Sequence, residues 1–79
     1  MEMQLIGVLE YMDNTGHSEI HWDSTKQVEV DAARAQFEFL KNNKYIAFRL
    51  KSDGSPGERI YEFDPKAERI LLQPQFAGG

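Results

Sequence analysis

The stretch Lys26-Gln27-Val28-Glu29-Val30-Asp31-Ala32-Ala33-Arg34-Ala35-Gln36-Phe37-Glu38-Phe39-Leu40-Lys41 decides the fold. It holds no Gly or Pro and is rich in strong helix formers, so it reads as a helix over about residues 26–41. With about 100° between successive side chains, Val30, Ala33, Phe37 and Leu40 share one stripe, and Val28, Ala32, Ala35 and Phe39 share a nearly opposite one. Only one stripe can lie fully on a sheet. The first spreads its larger side chains over more turns and is expected to face the core. Phe39, left on the other side, is expected either beneath a long loop, the favoured place, or partly exposed at a contact surface. Asp23, Ser24 and Thr25 are capping residue types, and Ser24-x-x-Gln27 fits a capping box. Asn42-Asn43 ends the segment, with Asn suited to the left-handed cap.

Upstream lies a hairpin. From Met3 to Tyr11, the apolar residues Leu5, Ile6, Val8 and Leu9 form a strand pattern, and the interior Gly7 is expected to mark a bulge. Asp13-Asn14-Thr15-Gly16 is a turn, because Asp and Asn bond their own backbone and Gly accepts positive φ. Ser18 to Trp22 then alternates, placing Ile20 and Trp22 inward and Glu19 and His21 outward.

Downstream, Tyr45 to Lys51 is the cleanest strand, with Ile46, Phe48 and Leu50 alternating against Arg49 and Lys51, and it is expected to be central. Ser52-Asp53-Gly54-Ser55-Pro56-Gly57 is a turn cluster. A fourth strand is expected from Glu58 to Phe63, with Ile60, Tyr61 and Phe63. Asp64-Pro65-Lys66 breaks it, and a fifth runs from Glu68 to Gln73. Pro74 cannot donate to a ladder, so the sheet should end there. The order ββαβββ is an α+β arrangement, one helix packed across a mixed sheet, in which the first and last strands can meet as parallel neighbours in the middle.

Composition excludes several functions. A chain of 79 residues makes one domain. It contains no cysteine, so it has neither a disulfide framework nor a thiolate nucleophile or metal ligand, which suits a reducing cytoplasm. A net charge of −4 with scattered basic residues argues against a nucleic-acid partner. No apolar run approaches the roughly 18 residues of a membrane span, and the acidic Met1-Glu2-Met3-Gln4 is unlike a signal peptide. The chain therefore reads as soluble, cytoplasmic and monomeric, with no membrane partner.

The familiar motifs fail as well. Asp13 to Gly16 lacks the later ligands of an EF-hand loop. Ser52 to Gly57 lacks the glycine spacing and the following helix of a phosphate loop. His17 and His21 sit four positions apart on one strand, about 13 Å, too far to share one ion, so no metal site is expected. With no Ser-His-Asp spacing and its carboxylates at surface positions, the chain is not expected to be an enzyme or to carry a cofactor.

What remains is the tail, Arg69-Ile70-Leu71-Leu72-Gln73-Pro74-Gln75-Phe76-Ala77-Gly78-Gly79. Residues 1–74 read as a platform and residues 75–79 as an extended tail whose last two positions carry no side chain. A carboxylate on such an end can enter a narrow adenylation site, and no β-carbon crowds its carbonyl. The order of elements resembles the β-grasp fold of ubiquitin-like proteins. Pro74-Gln75-Phe76-Ala77-Gly78-Gly79 resembles the Pro-Pro-Val-(Ala/Ser)-Gly-Gly end of the small sulfur carriers of molybdopterin and thiamine biosynthesis, with Gln75 in place of the second proline. That resemblance implies a terminal carboxylate adenylated by an ATP-using partner, then converted to a thiocarboxylate or joined to an amine. Gly79 would be the activated residue, Gly78 the slim approach, and Ala77 and Phe76 the part read by the activating enzyme. The partners implied are that enzyme and an acceptor or target protein. The alternative is a non-conjugating interaction module of the same fold, binding through a sheet face or through the Phe39 side.

Overall fold

The computed structural model describes residues 6–13, 15–51, 53–55 and 57–75. Five strands and a helix follow in the order β1 (Ile6–Asp13), β2 (Gly16–Asp23), α1 (Gln27–Asn42), β3 (Tyr45–Leu50), β4 (Glu58–Ile60) and β5 (Arg69–Pro74). The strands form one mixed sheet ordered β2-β1-β5-β3-β4, with α1 across one face. β1 and β5 are parallel neighbours in its middle, and the other pairs are antiparallel. The fold is thus the α+β arrangement expected, one helix on a mixed five-stranded sheet. Among the described residues no helix is long and apolar enough to cross a membrane.

The helix settles which side of the sheet is the core. Val30, Ala33, Phe37 and Leu40 are all buried, so the stripe with large residues spread over several turns does face the sheet. They meet Leu9 of β1, Trp22 of β2, Ala47 of β3 and Ile70 and Leu72 of β5. Phe63 and Ala67 close the core from the segment between β4 and β5. β4 is shorter than the expected Glu58 to Phe63. After Ile60 the chain bends away, and Phe63 packs on Trp22 with ring centroids 5.0 Å apart and edge-on to Phe37 at 5.8 Å. Burying that ring in an aromatic cluster outweighs continuing a ladder at the sheet edge.

Gly7 does not mark a bulge. It pairs in regular register with Trp22, and the indole lies against its α-carbon. This is the other use of a strand glycine, a close approach by a neighbouring group. β1 continues to Asp13, past the expected Tyr11, while Met3 and Leu5 lie outside the described residues. β5 is displaced by one residue from the expected Glu68 to Gln73, and Pro74 closes it as predicted.

Both helix ends differ from the sequence reading. The Ser24–Gln27 capping box does not form, and Gln27 bonds Asp31 along the helix instead. Lys26 N–H donates to the Asp23 carbonyl, so a turn stands between β2 and α1 and moves the capping groups back. Asp23 accepts from the backbone and the hydroxyl of Thr25, while Glu29 reaches back to the Asp23 N–H at 2.9 Å. At the other end Asn43 is not left-handed, with φ −101°, because its side-chain amide donates to the Phe39 carbonyl. The left-handed residue is Lys44, φ 69°. A side chain there is strained by about 1 kcal/mol. Lys44→Gly is therefore expected to raise stability by about 0.5–1 kcal/mol, read as a Tm increase of several degrees.

One device recurs at the turns. Asp13, Asp23, Asp53 and Asp64 each accept a hydrogen bond from the N–H two residues on. The carboxyls of Asp13, Asp23 and Asp53 are held below their ordinary value of 3.8, first by the side chains of Thr15, Thr25 and Ser55 and then by backbone N–H donors. A depressed folded-state pKa means the unfolded chain binds protons more readily. The stability these groups contribute is complete above the ordinary value and is lost as pH falls through the folded value. Tm should show no carboxylate-dependent fall from pH 7 to about 5 and should drop on further acidification. Asp13→Asn and Asp23→Asn, which keep an acceptor oxygen but do not titrate, should make that drop shallower in a thermal melt series.

Candidate functional site: the end of β5 and the open face of the sheet

β5 runs through the centre of the sheet. Ile70 and Leu72 point into the core with no exposed surface, while Arg69, Leu71 and Gln73 point to the face that α1 does not cover. Beside them the register places Val8, Glu10 and Met12 of β1 and Ile46, Phe48 and Leu50 of β3. The clean alternation of β3 therefore serves the open face. Its helix-side positions are Tyr45, Ala47 and Arg49, and only Ala47 is fully buried.

The chain leaves this platform along a fixed path. Tyr45 pairs with Pro74, and the Gln75 N–H donates to the Lys44 carbonyl at 2.8 Å. The expected site residues Phe76, Ala77, Gly78 and Gly79 lie outside the described residues. The structure thus places the root of the tail and not its tip.

Two hollows lie on the open face along β5. One, about 380 Å³, is lined by Phe48, Leu50, Gly54, Gly57, Leu71 and Gln73. The other, about 450 Å³, is lined by Met12, Leu71, Leu72, Gln73 and Pro74. They share Leu71 and Gln73, so an apolar trough follows the strand to the point where the tail departs. Apolar side chains half in water beside a chain exit are suited to contact with another protein.

At the β1–β2 side of the same face stands a charged cluster. Hairpin register sets Glu10 directly opposite Glu19, a like-charge pairing that is unfavourable alone. Arg69 donates to the Glu10 carboxylate from β5. His17 lies 3.8 Å from Glu10 and 4.0 Å from Glu19, and His21 lies 3.3 Å from the other Glu19 oxygen. The Glu19 carboxyl is held below its ordinary value, first by its hydrogen bond with His21. The two histidines thus flank one carboxylate rather than converge on each other. Glu10, His17 and Glu19 bring donor atoms within 4.8 Å of one another and are the described residues that could share an ion. Arg69 already places a positive charge on the most enclosed of the three.

Neither trough nor cluster was legible in the sequence. Alternation shows that Phe48 and Leu50 share a side, but not which side the helix takes. Glu10, Glu19 and Arg69 are brought together only by the register of three strands. Comparison of the chain with known family models, curated proteins and solved structures finds no match.

Proposed function

We propose that this chain is a ubiquitin-like β-grasp protein, a modifier or sulfur carrier whose Gly79 carboxylate is adenylated by a partner enzyme. The observation that supports it is the sheet order β2-β1-β5-β3-β4, with a parallel central pair and the last strand leading directly into the Phe76-Ala77-Gly78-Gly79 tail. In this reading the body is a handle and the chemistry belongs to the partner. The trough that runs along β5 from Phe48 and Leu71 to Met12 and Pro74 offers that partner an apolar grip reaching the tail root. Gly78 and Gly79 pass the active-site channel without side chains, and the activated carbonyl is open to sulfide or to an amine. Sulfur transfer and protein conjugation share this first step.

The decisive experiment is intact mass after incubation with a ubiquitin-like activating enzyme, ATP and a sulfur donor. The expected product gains the mass difference between sulfur and oxygen, or a covalent bond to the acceptor. Deleting Gly78 and Gly79 should abolish the product and leave Tm nearly unchanged.

A second reading is favoured by the open face itself: an interaction module that binds through the trough and whose terminus is never activated. Here Phe48→Ser would abolish partner binding, whereas the two-glycine deletion would leave it intact.

A further inference from the structure

The helix presents a second apolar surface on the side of the molecule away from the trough. Val28 is 81% exposed and Phe39 60%, and Ala32 and Ala35 between them are also exposed. Phe39 is therefore exposed and not beneath a loop, the place the sequence reading favoured. These positions follow the d-a-d-a spacing of a helix–helix seam, and the alanines in its middle let another backbone come close.

The surroundings select the partner's charge. The helical angles border the seam with Glu29, Gln36, Asp31 and Glu38. Arg34 lies over the Phe63 ring and 3.6 Å from Asp31, Lys26 lies 3.9 Å from Glu29, and Lys41 donates to the Tyr61 carbonyl, so the acidic excess along the seam rests on Glu38 together with Asp13 at its Phe39 end. At the Phe39 end a pocket of about 390 Å³ opens between α1 and the sheet, walled by Tyr11, Phe39, Leu40 and Tyr45, with Asp13 at its rim. Two hydrogen bonds from Thr15 favour the ionised Asp13 carboxylate. The last carbonyls of α1 add partial negative charge at the same end. An aromatic pocket with a carboxylate and a helix C-terminus at its mouth suits a long cationic side chain, stem against the rings and head at the carboxylate.

We infer that the Val28–Ala32–Ala35–Phe39 seam docks a basic amphipathic helix of a partner protein, one of whose arginines or lysines enters the Tyr11–Asp13–Tyr45 pocket. A second copy of this chain is a poorer occupant. The antiparallel pairing that sets Val28 against Phe39 brings Asp31 and Glu38, which share one flank of the seam, against each other, and the like charges repel.

The test is a titration of the ¹⁵N-labelled protein with a synthetic helix of leucine and arginine in heptad order, against the same helix with glutamate for each arginine. The arginine peptide should give saturable shifts at positions 28, 32, 35, 39 and 13, weakening in high salt, and the glutamate peptide none. Phe39→Ser should weaken binding by about tenfold or more, Asp13→Asn by several-fold, and Phe48→Ser on the opposite face not at all. Phe39 is exposed, so its variant should fold, and its unbound spectrum checks this. Equal binding of both peptides, shifts confined to the open sheet face, no saturable binding, or unaltered affinity of Phe39→Ser would each overturn the proposal. So would concentration-dependent dimerisation abolished by Phe39→Ser, which would assign the seam to a second copy.

Discussion

Gly7→Ala should destabilise the protein by about 3 kcal/mol, a Tm loss of about 12–24 °C for a domain of this size. In an ordinary strand the same change is favourable, because alanine loses less conformational freedom on folding than glycine. The sign reverses here because the added methyl carbon would sit 2.2 Å from Trp22 Cζ2 and 2.4 Å from Cε2. The indole cannot retreat. It has no exposed surface, its Nε1–H donates to the Pro65 carbonyl at 3.0 Å, and Phe63 packs against it. Chemical denaturation of Gly7→Ala decides the matter: unchanged or raised stability would mean that the ring does not lie on the strand. The effect should also be conditional. In a Trp22→Leu background the methyl has room, so Gly7→Ala should cost much less than in the native protein, and the double-mutant cycle should show the coupling.

Trp22→Ala should be the most damaging single truncation, at about 3–5 kcal/mol for loss of a fully buried aromatic side chain and the cavity it leaves. Against a total stability of about 5–15 kcal/mol, that takes the protein toward its unfolding threshold at ordinary temperature. Trp22 fills the space between β2, the glycine of β1 and the segment bearing Phe63 and Ala67, so its removal also frees the chain between β4 and β5. Trp22→Phe separates the contributions. It keeps a ring in place but leaves the Pro65 carbonyl without its donor, and should cost about 1–3 kcal/mol. A calorimetric ranking in which Trp22→Ala is milder than Trp22→Phe would contradict this account of the core.

Much of this fold could be read from residue order because the signals are local. The periodicity of Val30, Ala33, Phe37 and Leu40 fixes a helix and its buried side, and all four are buried. The turn residues Asp13 and Gly16 close the first hairpin, with Gly16 at φ +120°. Pro74 ends the last strand because it has no N–H to give. The sequence misled where two solutions competed, in two places between local hydrogen-bonding schemes and in one through a distant aromatic contact. Ser24 could have capped the helix, but a turn at Asp23–Lys26 moves the helix start to Lys26, which has no side-chain cap. Asn43 could have gone left-handed, but its amide is bound to Phe39 and the strain falls on Lys44. Tyr61 and Phe63 fit a strand, but the aromatic cluster takes Phe63 and leaves Tyr61 62% exposed.

The sequence by itself determined the number and order of elements, the inward side of the helix and the tail that follows the last strand. Those properties depend on backbone preferences and on neighbours a few positions apart. Only the tertiary structure decided that Gly7 exists for Trp22, that Phe48, Leu50 and Leu71 form an open trough, and that Phe39 stands in solvent above a pocket carrying Asp13. Each depends on which strands become neighbours and in what register. That is set by burial of the whole core, a quantity no short window of residues contains.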